Sequence, residues 1–234
     1  MASDLWSFLE HPHAGYPRFR RFGWLSSCAT FGYGQQYDWV AKETGRSPKE
    51  LCRRPTGGGI VEHGEDWTYS LILPADHPVC ARSASEIYMH LHEALAAALG
   101  SCGVKTSLLP CSDKEDPCPA EPRKPRKVIP GQCFLEPVGR DVMLLDGQTK
   151  VAGAAMKRTR SGLLLQGTID RRPLPEPDWT TFETDFLSFL AEYLSARPEP
   201  EPWPENFDEV RTPYVEQFAS DGWLKERRTT PSRK

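Results

Sequence analysis

Apolar residues return at helical spacing along two stretches of the chain and alternate with polar ones along several shorter runs. After the capping-box sequence Ser83-Ala84-Ser85-Glu86, residues Ile87, Leu91, Ala94, Leu95, Ala98 and Leu99 mark one face of a helix that runs through Leu99. Trp179 to Ala196 repeats the pattern, with Phe182, Phe186, Phe189 and Leu190 directed inward. Leu5, Phe8 and Leu9 fit a short N-terminal helix with Asp4 as its cap, and Tyr37 to Thr44 a helix stopped by Gly45. Strands are predicted at Arg18 to Trp24 and Cys28 to Phe31, joined across a Ser-Ser turn. Ile60 to Leu73 reads as a hairpin folded at His63-Gly64-Glu65-Asp66. Three further strands, Val142–Leu145, Lys150–Met156 and Leu163–Ile169, are linked by Asp146-Gly147 and Ser161-Gly162 turns. No internal repeat is present.

Proline breaks this regularity twice. Residues 111–131 hold five prolines and the basic run Arg123-Lys124-Pro125-Arg126-Lys127, which predicts a long loop whose charge is either a solvated turn or a site for an acidic partner. The Pro-Glu repeat at 198–204 predicts an extended spacer, and the basic end from Lys225 is expected to fray. The division expected is a catalytic-type domain over 1–197 and a spacer with C-terminal extension over 198–234.

Composition narrows the class. A chain of 234 residues with 38% hydrophobic positions can fold as one domain without disulfide staples. Its net charge of −3 argues against a nucleic-acid partner. No run of 18 apolar residues predicts a membrane span, and the opening Met1-Ala2-Ser3-Asp4-Leu5-Trp6 lacks signal-peptide character. Seven cysteines, an odd number, fit reduced thiols and a cytoplasmic location. Cys102, Cys111, Cys118 and Cys133 never form a CxxC-type pair, and His90 and His92 point to different helix faces. No metal site is therefore expected.

The densest chemical signal is Arg53-Arg54-Pro55-Thr56-Gly57-Gly58-Gly59-Ile60-Val61-Glu62-His63. Three consecutive glycines let backbone approach a ligand and present bare amides to an oxygen, and two arginines add forked donors for an anion. Read without further context, the same segment is a flexible turn with solvated arginines. It matches neither phosphate-binding glycine fingerprint. The second signal is Cys133-Phe134-Leu135-Glu136-Pro137 followed by Lys150-Val151-Ala152-Gly153-Ala154-Ala155. A neighbouring ammonium favours the thiolate form of a cysteine, and adjacent strands could bring Lys150 to Cys133. A cysteine beside phenylalanine is otherwise a buried hydrophobe.

These residues resemble the signature of the lipoate–protein ligase and octanoyltransferase family, which shares its catalytic fold with biotin–protein ligases. The resemblance rests on residues 53–63 with Tyr69-Ser70, on Trp24 with Thr30-Phe31-Gly32-Tyr33-Gly34-Gln35, on Lys150 to Ala155, and on Leu165-Gln166-Gly167-Thr168-Ile169, in that order along the chain. It implies an α+β domain of class II aminoacyl-tRNA-synthetase-like, biotin/lipoate ligase type: a mixed, largely antiparallel sheet flanked by helices. The glycine-rich arginine loop of the biotin ligases has no counterpart. Cys133 resembles the nucleophile of the cysteine-dependent branch, in which an octanoyl or lipoyl group passes through a thioester to a lysine of a lipoyl domain. In that branch Lys150 is the activator. Arg54, Thr56, Gly57, Gly58, Gly59, His63, Tyr69, Gly153, Ala154 and Ala155 are then the expected substrate-binding positions.

The resemblance implies an acyl carrier protein as donor and, as acceptor, a lipoyl domain of an H protein or of a 2-oxoacid dehydrogenase acyltransferase subunit. No cofactor is expected for transfer. The alternative is a lipoate–protein ligase, which would use ATP and magnesium, with Cys133 incidental. A second alternative is a degenerate scaffold that binds lipoyl domains. The departures are a slightly lengthened Cys133-to-Lys150 gap, Met156 where the transferases carry glutamine, Leu165-Gln166 where a histidine is expected, and a shortened segment before Asp4. An apolar tunnel for the acyl chain is expected below the glycine loop.

Overall fold

A computed structural model of the chain describes residues 1–111 and 131–229. The proline-rich segment with its basic run therefore falls outside the described residues, as does Cys118. Fifteen elements follow one another among the rest: α1 (Ala2–Leu9), β1 (Arg18–Phe22), β2 (Cys28–Phe31), α2 (Tyr37–Thr44), β3 (Leu51–Arg53), β4 (Val61–His63), β5 (Trp67–Pro74), α3 (Ala84–Ser101), β6 (Thr106–Leu108), β7 (Val142–Leu144), β8 (Lys150–Thr159), β9 (Gly162–Ile169), α4 (Trp179–Leu194), α5 (Phe207–Ala219) and α6 (Asp221–Glu226).

Six strands form one antiparallel sheet in the order β1-β5-β9-β8-β7-β6, and β3-β2-β4 form a small mixed sheet with β2 and β3 parallel. This is the α+β arrangement expected. Period-two alternation sorts the side chains of the large sheet. Tyr69, Leu71, Leu73, Leu163 and Leu165 face the α3 and α4 layer, where they meet Ile87, Leu91, Leu95, Phe182 and Phe186. Both predicted helical stripes lie in this core. Burying each such side chain contributes roughly 1.5–3 kcal/mol, which makes this layer the principal support of the sheet. Ile72 and Leu164 face the other way, against Leu5, Trp6 and Phe8 of α1 and Tyr214 of α5. The N-terminus of α3 has the expected capping box: Ser83 Oγ accepts from Glu86 N at 3.1 Å, and Ser83 N donates to Glu86 at 2.9 Å.

Three expectations change. The hairpin over Ile60–Leu73 does not form, because β4 pairs with β2 in the small sheet while β5 pairs with β1 and β9 in the large one. The turn between them is a corner. Asp66 holds it by accepting from Gly64 N at 2.9 Å and meeting His63 Nδ1 at 2.8 Å. Asp4 is not a cap: α1 begins at Ala2, and the Asp4 carboxylate is fully buried against Arg20, Ser70 and Gln166. The C-terminal extension does not fray from Lys225, which still lies in α6 and pairs with Asp221 at 2.9 Å. Residues 207–226 instead form helices packed on α1 and on the base of the glycine loop.

Candidate active site

Lys150 opens β8, and its side chain is almost completely withdrawn from solvent. Its ammonium lies 2.7 Å from Asp141 Oδ2, 2.9 Å from the Cys133 carbonyl oxygen and 3.4 Å from Cys133 Sγ. Gly153 makes this path possible. A Cβ there would stand 2.7 Å from both Cε and Nζ of Lys150, so any larger residue would displace the ammonium. The ring of Phe134 lies 5.5 Å from the same nitrogen.

The glycine loop sits against the cysteine segment. Cys133 N donates to Ile60 O at 2.9 Å and Ile60 N to Gly131 O at 2.9 Å, which forms a short parallel bridge. A Cβ on Gly59 would meet Gly131 O at 2.7 Å, so the approach requires glycine at that position. Gly58 adopts a positive φ of 89°, and its carbonyl oxygen would lie 2.0 Å from a Cβ on Gly32. Glycine at 32 and 58 thus lets two backbone segments touch.

Arg54 shapes the loop from beneath. One terminal nitrogen donates to Gly57 O (2.9 Å) and Gly59 O (2.7 Å), and the other donates to Thr30 Oγ1 at 2.7 Å. Burial pushes this guanidinium below the usual arginine range. Thr30 Oγ1 lies 2.7 Å from His63 Nε2, and His63 Nδ1 lies 2.8 Å from Asp66 Oδ2. These contacts fit one directed chain: Arg54 donates to Thr30, Thr30 to His63, and His63 to Asp66. Burial lowers the His63 pKa more than Asp66 raises it, so the imidazole is neutral near pH 7. Burial alone would raise the Asp66 carboxyl, but hydrogen bonds from His63, Thr168 and Thr68 hold it well below the ordinary carboxylate range. Trp24 stacks on His63 with ring centroids 4.0 Å apart.

Arg53 behaves differently from its neighbour. Its guanidinium donates to the carbonyl oxygens of Tyr33, Gln35, Trp223, Leu224 and Lys225, while Trp223 Nε1 donates back to Arg53 O at 2.9 Å. The expected pair of anion-binding arginines is therefore one loop-shaping residue and one clasp on α6.

A cavity of about 40 Å³ lies between these groups, lined in part by Arg54, Gly58, His63, Cys133, Ala155 and Gln166. Gly153 and Ala154 border it, as do Thr30 and Met1. It has room for a few waters, well short of an open tunnel. Gln166, at the position where a histidine was expected, donates to Asp4 at 2.8 Å and to Met1 Sδ at 3.2 Å, and accepts from Thr56 Oγ1 at 2.9 Å.

Residues 1–173 match the model of the lipoyl protein ligase A/B catalytic domain. The chain belongs to this family. It is 29% identical over 159 residues to an octanoyltransferase LipM of Geobacillus kaustophilus, a match covering 65% of this chain and 53% of that protein. It is 30% identical over 177 residues to an octanoyltransferase LipM of Moorella thermoacetica, covering 72% and 59%. The chain thus spans about half the length of the curated relatives it matches. In fold it is similar to a lipoate-protein ligase A crystallised with ATP, at TM-score 0.69 and 16% identity over 96% of this chain and 92% of that one. It is also similar to a chain from the study of a bipartite lipoate protein ligase and its E2 lipoyl domain from Thermoplasma acidophilum, at TM-score 0.63 and 14% identity over 98% and 94%.

Of the positions that the family resemblance implies, the structure gathers Cys133, Arg54, Gly58, His63 and Gly153 to Ala155 around one cavity, with Lys150 against Cys133 just behind it. Thr56 stands just behind it through Gln166, and Gly57 and Gly59 are held by Arg54. Tyr69 is elsewhere. Its ring lies on the α3 and α4 side of the sheet, over Gly167 and against Phe186, because alternation along β5 turns Thr68 and Ser70 toward the cavity side instead. Asp141 and Tyr88 were not anticipated, and Thr30 and Asp66 were read only as motif and turn positions, not as supports of the site. Nothing in spacing singles out a lone aspartate between Arg140 and Val142, and only tertiary packing gives it Lys150 as partner.

Proposed function

We propose that this chain moves an octanoyl or lipoyl group through a Cys133 thioester to a lysine of a lipoyl domain. The observation that carries the reading is the Lys150 ammonium 3.4 Å from Cys133 Sγ, beside a glycine loop that Arg54 holds in place. A cation at that distance in a site shielded from water stabilises negative charge on sulfur. The octanoyltransferase names of the curated relatives support the same chemistry.

In the first half-reaction the Cys133 sulfur attacks the thioester carbonyl of an acyl carrier protein. The carbon–sulfur bond to the carrier breaks, and the carrier leaves as a thiolate that takes a proton. In the second, the neutral amine of a lipoyl-domain lysine attacks the Cys133 thioester, an amide forms, and the Cys133 thiol is restored. Bare amides of the glycine loop suit the oxyanion formed in each step. Transfer of this kind uses neither ATP nor metal. The acceptor is an H protein or a 2-oxoacid dehydrogenase acyltransferase subunit, and the reading places the reaction in the cytoplasm. Among the described residues no helix is long and apolar enough to cross a membrane.

The decisive experiment incubates the chain with octanoyl carrier in the absence of ATP and weighs the intact protein. An octanoyl adduct on Cys133 is expected, and it should vanish in Cys133→Ser with the circular-dichroism spectrum unchanged. A serine hydroxyl is a much poorer nucleophile than a thiolate, so transfer should fall by orders of magnitude. Lys150→Ala should be similarly damaging. Acceptor modification that requires ATP and survives Cys133→Ser would overturn the reading in favour of a ligase. No modification under either condition would favour the scaffold.

A further inference from the structure

We propose that Asp141, braced by Tyr88, is the positioning residue that sets the Lys150 ammonium against the Cys133 sulfur. The inference rests on the transferase reading and deepens it.

An ammonium has three donors and no acceptors. Lys150 directs one to Asp141 Oδ2 at 2.7 Å and one to the Cys133 carbonyl at 2.9 Å, and the third faces Sγ at 3.4 Å. Two contacts therefore fix the direction of the third. Lysine alone cannot supply that geometry, since its four-carbon stem is flexible and its charge is a point. The order must come from its partners.

Asp141 is built to supply it. The carboxylate is fully buried, and each oxygen is engaged: Oδ2 accepts from Lys150 and from Val138 N at 2.7 Å, and Oδ1 accepts from the Tyr88 hydroxyl. Tyr88 accepts in turn from Ala154 N at 3.2 Å, on the strand that begins with Lys150. Helix α3, the loop before β7, and β8 are thus joined at one carboxylate. His92, one turn beyond Tyr88, packs on its ring at 4.0 Å, and its Nδ1 lies 2.6 Å from Arg140 O. Burial pushes His92 down to about 4, so it adds no charge near pH 7. The charged and titratable groups around the sulfur are then Lys150, Arg54 and Tyr88, with Asp141 behind Lys150, neutral His92 behind Tyr88 and neutral His63 across the cavity. A buried ion pair with every remaining site satisfied holds one geometry, and removal of one partner leaves the other charge without compensation.

The direction of one pH shift tests this. Alkylation of Cys133 by iodoacetamide, followed on the Cys133 peptide by mass spectrometry across pH, reads thiolate formation without an acyl donor. Loss of a nearby negative charge, taken alone, would make the Cys133 thiolate easier to form. Loss of positioning makes it harder. Asp141→Asn is expected to raise the alkylation midpoint by about one pH unit, a tenfold change in the ionisation constant, and to slow acyl transfer about a hundredfold. Tyr88→Phe keeps the carboxylate and the ring, and should shift both in the same sense by about fivefold. A lowered or unchanged midpoint in a folded Asp141→Asn protein would overturn the proposal. Should Asp141→Asn fail to fold, Tyr88→Phe decides, and an unchanged midpoint there would overturn it. Failure of the unsubstituted chain to acquire an acyl group on Cys133 would instead defeat the transferase reading, and the alkylation midpoints would still report on the triad.

Discussion

Two hollows of this molecule contrast in size and in chemistry. A groove of about 1280 Å³ runs between β1, α4 and residues 195–203, bordered by Arg18, Arg20 and Arg21 on one side and by the Pro-Glu segment on the other. The cavity beside Cys133 is about 40 Å³. The large groove is bordered mainly by charged side chains open to water, whose pairings are weakened by solvent, although the Asp4 carboxylate at its edge is fully buried against Arg20. The small cavity is lined by a thiol, a guanidinium and a neutral imidazole, with the Lys150 ammonium just behind the thiol, each engaged by a neighbouring group. The difference teaches that the larger hollow is not the one in which buried polar groups converge. Reactive groups gather where burial makes each charge strong and each hydrogen bond obligatory.

The groove has a cluster of its own. His13 Nδ1 lies 2.5 Å from Glu201 Oε1, and His11 Nε2 lies 3.8 Å from the other oxygen of the same carboxylate. His11 Nδ1, however, accepts from His13 N at 3.1 Å, which places the proton of a neutral His11 on Nε2, where a metal would have to bind. The trio is a hydrogen-bonded contact that fastens the Pro-Glu segment to the loop after α1.

The contrast can be broken or sharpened by substitution. Gly153→Ala should have the largest effect: its methyl group meets the end of the Lys150 side chain and, at 3.2 Å, Asp141 Oδ1, but no backbone, so the fold should tolerate it while the ammonium must move. Acyl transfer is expected to fall about a hundredfold with little change in Tm, since small displacements in a site cost about that much. Full activity in that variant would show that Lys150 has another productive position. Thr30→Val comes next. It removes the hydroxyl between Arg54 and His63 and leaves a buried donor unsatisfied, a loss of about 1–3 kcal/mol readable in urea unfolding.

The same network sets the sign of the acid response. His63 is lowered in the fold by burial, so the unfolded chain takes up that proton first as pH falls through about 6.5, and stability declines. Asp66 is lowered by its hydrogen bonds and acts in the same direction once pH falls below about 4. Asp66→Asn should lessen the second decline, to which the buried Asp4 carboxylate also contributes, and a denaturation series across pH 3 to 7 would show it. Glu201→Gln in the groove should do least, changing stability by no more than about 1 kcal/mol and leaving transfer untouched. A large loss of activity in that variant would mean that the groove serves the reaction.

Much of the fold was legible in the sequence, and the legible part follows one physical rule. Helices with a clear 3.6-residue stripe, α3 and α4, and strands separated by glycine turns, β8 and β9, were read close to their observed limits because each buries one face of its own pattern. β3 and β6 were missed, since three residues show no period. α5 was missed because Pro213 and a weak apolar stripe conceal it, and it is helical through packing on α1. At the site, Cys133, Lys150 and the glycine loop were visible as residue types that chemistry needs. Their supports were not, because Asp141, Tyr88 and Thr30 acquire meaning only from partners 9 to 53 positions away.

The Arg53 clasp has a consequence for the order in which the protein is made. Its guanidinium finds three of its five carbonyl acceptors on Trp223, Leu224 and Lys225, 170 residues or more downstream. At roughly 5–20 residues per second, a ribosome needs on the order of ten to thirty seconds to deliver them. Throughout that interval the guanidinium keeps its water, and the strand at the foot of the glycine loop has no final seat. The nascent chain can lay down the α3 helix and the strands of the large sheet while its glycine loop stays unlatched. Latching waits for α6 to emerge, so the glycine loop takes its final seat only after residues 221–226 have been made.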